Sequence, residues 1–284
     1  MGNSGFADLG EGLLIFDTFL TPQAAEDLRS AAETITGKQI LYAVNSHEHG
    51  DHVRGNQVFS DVPIISTDKT RKIIKESLSG QIAQQKQDGE TFLASMKEKS
   101  ANETDPQKKK RLELLIGTIT EINESLLHFK MTLPTVCCEN DLVIHCSKRK
   151  ALIKTWGGGH SKSDSVLLLP DDKITFAGNL LFFDTHLALV HGNAVEWSRS
   201  LNELSKYDIE THVPGHGPIG NEHHFELNQL YLTDTLNYCN KMVKEGVPAE
   251  EAASGFELFD YAAEWESKDT VPSTIWSVYE QLKK

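Results

Sequence analysis

Three imidazoles and two carboxylates fall within six residues of one stretch, His47-Glu48-His49-Gly50-Asp51-His52, which follows the apolar run Ile40-Leu41-Tyr42-Ala43-Val44. In an extended or tightly looped segment alternate side chains project the same way, so His47 and His49 can reach one point together. Asp51 and His52 then turn toward a second point beside it. Neutral imidazole nitrogen is the commonest protein ligand for zinc and also suits iron and nickel, and a carboxylate oxygen completes a borderline site. The stretch reads as a metal-binding loop. The competing reading is a loop with histidines by chance, in which Asp51 only caps a helix running from His52 to Phe59. The dense HxHxDH spacing directly after a strand weighs against it.

Three further segments extend the pattern: Trp156-Gly157-Gly158-Gly159-His160-Ser161, Phe176-Ala177-Gly178-Asn179-Leu180-Leu181-Phe182 and Val213-Pro214-Gly215-His216-Gly217-Pro218. Together with HxHxDH they resemble the metallo-β-lactamase fold superfamily of metallohydrolases, whose hallmark is that motif followed by separated single ligands. The likeness implies an α/β (α+β) fold, a four-layer αββα sandwich with metals at one sheet edge. It implies a first ion on His47, His49 and His160 and a second on Asp51, His52 and His216, one or two zinc ions per chain, with iron or manganese as substitutes. Three ligands per ion leave coordination positions open, the mark of a catalytic site. Hydrolysis by a metal-bound hydroxide follows as the reaction class. Asp51 would be the catalytic residue that also orients the nucleophile, and the substrate a small ester, thioester, lactone or amide, β-lactams included. The alternatives are an iron-containing member doing redox or sulfur chemistry and a non-catalytic metal-binding scaffold of the same fold.

One residue departs from the family pattern. Many binuclear members place a bridging aspartate where this chain has Asn179, and a neutral amide cannot neutralise two dications. The β-lactamase branch also lacks that carboxylate, and one of its subclasses uses a ligand set like the one here. Asn179, His186 and His191 are candidates to support the metals or line the substrate pocket, although loop histidines usually do neither. Asp17 sits at a strand end where the family keeps an aspartate near the metal loop, a position equally open to a turn or cap residue. The Gly157-Gly158-Gly159 run lacks the lysine of a phosphate loop and reads as a sharp turn that lets His160 reach the metal.

The elements that must position these residues follow from patterning. Segments 5–9 and 13–17 flank Gly10-Glu11-Gly12 as a hairpin. Thr21-Pro22 opens a helix that Gly37 ends. Val62–Ile65 is a strand after the metal loop, and the alternation of strand and helix predicts layered α/β architecture. From about 67 to 130 charges dominate, and Leu112, Leu115, Ile119, Ile122 and Leu126 recur at helical spacing. This is a helical insertion broken near residues 101–106, either packed plainly on the domain or serving as a lid or dimer contact. Strands return at 142–144, 151–153, 165–169, 173–177 and 209–213, with helices at 194–206, 222–244 and from 273 onward. The expectation is one domain, 1–284, carrying that insertion.

The composition sets the outer bounds. A balance of 28 Lys and Arg against 41 Asp and Glu gives a net charge of −13, which disfavours nucleic-acid partners. No apolar run is long enough to span a membrane. The expected partner is a small-molecule substrate, with an oligomer through the insertion as a further option. Four cysteines without a CxxC pair and an N-terminus without a signal core point to the cytoplasm, a secreted or periplasmic location being the alternative had a signal peptide been removed.

Overall fold

A computed structural model of the chain describes residues 2–284. Two five-stranded sheets stack face to face. The first contains β1 (Gly5–Asp8), β2 (Leu13–Phe16), β3 (Ile40–Val44), β4 (Ile64–Thr67) and β5 (Val136–Cys138), in that spatial order. The second is ordered β10-β9-β8-β7-β6, from β6 (Asp141–His145), β7 (Lys150–Thr155), β8 (Ser165–Leu169), β9 (Ile174–Phe182) and β10 (Thr211–His216).

The layering is written in the period-two alternation of the central strands. On β2, Leu14 and Phe16 point inward and meet Leu167 and Leu169 of β8, Val44 and Ile65 in the core between the sheets. Leu13 and Ile15 of the same strand point outward onto Ala25 and Ala32 of α1 (Pro22–Thr36). On β8, Val166 and Leu168 face outward into the largest core, with Trp197 and Leu201 of α5 (Ala194–Leu204), Phe225 and Leu232 of α6 (Glu222–Glu245), and Ile275 and Val278 of α8 (Val271–Leu282). Strands buried on both faces read as unbroken apolar runs, which is why β2 and β8 look alike in sequence. The result is the αββα sandwich.

The helical insertion consists of α3 (Asp68–Asn102) and α4 (Pro106–Ser125), which pack on each other. Thr67 caps α3 by accepting from the Thr70 N–H, and Asp105 caps α4 by accepting from Gln107 and Lys108, directly before Pro106. Ile74, Leu78 and Ile82 of α3 bury against Val53 and Leu126, so the base of the hairpin braces the segment just after the metal loop. The apolar stripe of α4 is less covered than its spacing suggests, with Leu115 44% exposed.

Two elements escaped the pattern reading: β5, three residues long, and α7 (Ala249–Ser254), six residues long. Neither is long enough to show a period, and β5 exists because its edge pairs with β4, Ile65 opposite Val136. The helix expected from His52 to Phe59 is instead a short α2 (Gly50–Val53) followed by a 3-10 stretch, Arg54–Phe59. Gly55 explains the tight passage there. A Cβ on it would lie 1.9 Å from the Thr18 carbonyl oxygen and 2.5 Å from Ala25 Cβ, so this segment presses directly on the β2–α1 connection and on α1. Replacement Gly55→Ala is therefore expected to destabilise the fold by at least ~1–3 kcal/mol, the range for overpacking, measured by denaturant unfolding. An unchanged midpoint would contradict the close approach.

Candidate metal centre

The HxHxDH loop leaves β3 at Val44 and enters α2, while His216 ends β10 and His160 lies between β7 and β8. One loop from each half of the molecule and one strand end thus converge at a single edge of the sandwich, the end where ligands sit in parallel sheets. The ligand atoms fall into two compact groups. His47, His49 and His160 form one, and Asp51, His52 and His216 the other, each with its donor atoms within 4.8 Å of one another. The groups adjoin, with the His47 and His52 rings 4.4 Å apart between centroids.

In the first group, His49 Nδ1 and His160 Nε2 face each other at 2.9 Å. His47 directs Nδ1 to Ser46 Oγ at 2.8 Å, which leaves its buried Nε2 without a partner. In the second, Asp51 Oδ2 lies 3.2 Å from His216 Nε2 and 3.4 Å from His52 Nε2. Buried polar atoms normally find partners, so the unpartnered Nε2 of His47 beside two imidazole nitrogens crowded to 2.9 Å marks a place shaped for a cation.

The electrostatics agree. Burial, reinforced by neighbouring imidazoles, holds His47 and His160 well below the usual histidine range and His49 down to about 4, so these rings are neutral and ready to ligate at pH 7. Asp51 is pushed up by burial, but His52 and His216 outweigh this and keep it an anion. For His52, burial opposes the charge, yet Asp51 and Asp17 dominate and raise it to about 10. A cation held by the second group would have to displace a proton from His52. The donor set fits divalent zinc or a similar borderline ion in both groups.

Asp17 organises this arrangement. Wholly buried at the end of β2, with φ of 60°, it accepts from the Ser46 N–H through Oδ1 at 2.7 Å and meets Ser46 Oγ and His52 Nδ1 through Oδ2, each at 2.8 Å. A non-glycine residue in that region of backbone space is strained and is held there by its surroundings. The bond to Nδ1 orients His52 so that Nε2 faces Asp51, the familiar carboxylate–histidine arrangement behind a metal ligand. Residues the motif reading did not single out complete the support. Asn45 and Asn56 exchange amide hydrogen bonds at 2.8 and 2.9 Å, and Thr18 and Asn45 donate to the His52 carbonyl. Gly178, at φ of 52°, makes room for Ser46, whose Cβ and Oγ would be 2.6 and 2.7 Å from any added Cβ. Asparagine and threonine are too common in loops for spacing to reveal such a role.

The three weaker candidates separate. Asn179 directs Nδ2 to His160 Nε2 at 3.0 Å, with its buried Oδ1 unpartnered. His191 is exposed and its Nδ1 lies 3.4 Å from His49 Nε2, at the rim of the first group. His186 packs elsewhere, bonded to the Tyr231 hydroxyl at 2.8 Å and against Trp265.

Comparison with known proteins supports the resemblance. The metallo-beta-lactamase superfamily model matches residues 1–136, the half that carries HxHxDH. Among solved structures, a metallo-beta-lactamase from Pontibacter korlensis superposes with a TM-score of 0.58 at 18% identity, covering 81% of this chain and 86% of that one. The DIM-1 metallo-beta-lactamase gives 0.57 at 20% identity, covering 82% and 87%. TMB-1 gives 0.57 at 16%, covering 82% and 85%. The search of curated proteins returned no match. The chain has the metallo-β-lactamase fold, and its N-terminal half matches the superfamily in sequence.

Asp17→Ala should weaken the metal affinity of the Asp51, His52, His216 group by ~10–100-fold, the usual cost of losing a carboxylate behind a histidine ligand, measured by competition with a chelating indicator. A second expectation concerns Asp164, whose Oδ2 accepts from the Ser161 N–H and so steadies the His160 turn. Burial pushes this carboxyl up to about 7. Its folded pKa exceeds the unfolded one, so it contributes stability below the unfolded pKa that is lost as pH rises through about 7. Asp164→Asn should therefore flatten the stability profile between pH ~4 and ~7, and an unaltered slope in denaturant titrations would contradict the buried-acid assignment.

Proposed function

We propose that this protein is a metal-dependent hydrolase of small esters, thioesters, lactones or amides, β-lactams among them. One observation carries the reading: two adjoining groups of three ligands, each too few to close a coordination shell, open at the same sheet edge. Closed four-ligand sets serve structure, while three-ligand sets leave room for water and substrate. The proposed first ion is held by His47, His49 and His160, the second by Asp51, His52 and His216. When bound, divalent zinc there lowers the pKa of water toward ~7 and polarises the scissile carbonyl.

The chain's own residues supply the rest of the proposed chemistry. Asp51 remains ionised beside His52 and His216, so its carboxylate can accept a hydrogen bond from the attacking water and orient it. We assign His191, exposed next to His49, to the lining of the substrate pocket. Asn179 presents a neutral amide beside His160, so ions held here would be less neutralised than beside a carboxylate and would stabilise developing negative charge on a substrate oxygen more strongly. We put β-lactams, small esters, thioesters, lactones and amides on the panel to be assayed, a choice supported by the neighbours' shared fold.

His49→Ala should abolish hydrolysis of whichever panel member is turned over, with the far-UV circular dichroism of the parent retained. Removal of metal by chelation should do the same reversibly, and added zinc should restore the rate. Undiminished turnover in the His49→Ala protein would remove the metal mechanism.

A further inference from the structure

The segment ahead of β1 crosses the second ligand group. Asn3 donates its backbone N–H to the Gly215 carbonyl at 2.7 Å, and its side-chain amide donates to the Pro214 and Gly217 carbonyls at 3.0 and 2.8 Å. These three acceptors bracket His216. Gly2 is buried, and a Cβ placed on it would lie 2.8 Å from His52 Nε2 and 3.1 Å from Asp51 Oδ2. An ion on those same two atoms sits ~2.0–2.2 Å from each, so a side chain at residue 2 and a bound ion compete for nearly one volume.

We infer that Gly2 and Asn3 form a strap belonging to the second ion's site: Asn3 is a positioning residue for His216, and Gly2 keeps the face of Asp51 and His52 clear. This rests on reading Asp51, His52 and His216 as an ion site. The strap is fixed from behind by β1, whose register with β2 pairs Gly5 with Phe16, next to Asp17. The same strand pairing that presents Asp17 to His52 thus also delivers Asn3 to the His216 turn. His216 ends an irregular strand, with register shifts on both sides of Pro214 in its pairing with β9, and the ladder holds the turn there through the His216 carbonyl, which accepts from the Phe183 N–H at 3.1 Å. Asn3 holds the carbonyls on either side of that point, and among the described residues its hydrogen bonds go to this turn and not to the first group.

The test is titration of metal-free protein with Co²⁺, following the visible absorption of each ligand set, for the parent, Asn3→Leu and Gly2→Val. Leucine keeps the branched shape and removes both donors. The parent should take up two ions. Asn3→Leu should bind the first ion as the parent does and the second ~10–100-fold more weakly, the range for lost support behind a ligand. Gly2→Val should bind only the first. The metal-free variants should stay folded by far-UV circular dichroism, with Asn3→Leu close to the parent's thermal midpoint and Gly2→Val below it because residue 2 presses on the buried His52 ring. Two ions at parental affinity in both variants, or an equal loss at both groups, would overturn the strap's role while leaving the metal centre intact. A parent that takes up a single ion would instead overturn the two-ion site itself, and the strap's role with it.

Discussion

The buried carboxylate of Asp17 is the constraint on which the rest of the site depends. A charge with no exposure to water survives only if its oxygens are filled, and here a backbone N–H, a serine hydroxyl and an imidazole fill them. Those three partners all belong to the loop Ser46–His52. Satisfying one buried anion therefore fixes where the metal loop leaves β3 and which nitrogen of His52 faces outward. The strained backbone of Asp17 is the cost of bringing that oxygen pair under the loop.

Around this anchor the sandwich divides the labour. The first sheet supplies Asp17 and the HxHxDH loop, and the second supplies His160, Asn179 and His216. Neither half holds a complete ligand set. The first group joins His47 and His49 to His160, and the second joins Asp51 and His52 to His216. The apolar core between the sheets, with Leu14 and Phe16 against Leu167 and Leu169, thus sets the distance across which the ligands meet. Because that core is close-packed, small rearrangements of it would be felt at the donor atoms.

Much of this is legible in the sequence, for physical reasons that differ by residue. The apolar runs of β2 and β8 are unbroken because both faces are buried, so the layered architecture can be read from them. His47 through His52 stand out because so dense a run of ligating side chains rarely arises by chance. His160 and His216 emerge only through the resemblance, since a single histidine in a glycine-rich turn carries little signal alone. Asn45, Asn56, Thr18 and the Gly2–Asn3 segment are not legible. Their work depends on partners between 7 and 214 positions away in the chain, and polar residues in loops show no periodicity. The extension of β9 through Asn179 is hidden by Gly178, whose positive φ breaks the strand pattern while keeping the strand.

Whether these two neighbouring groups hold ions decides the chemistry of the whole sheet edge. Elemental analysis of protein purified without added metal or chelator measures this directly. The arrangement of neutral His47, His49 and His160 beside anionic Asp51 predicts close to two zinc ions per chain, with Asn179 no bar to the second. A preparation that is folded and carries no metal, and takes none up when zinc is supplied, would contradict it.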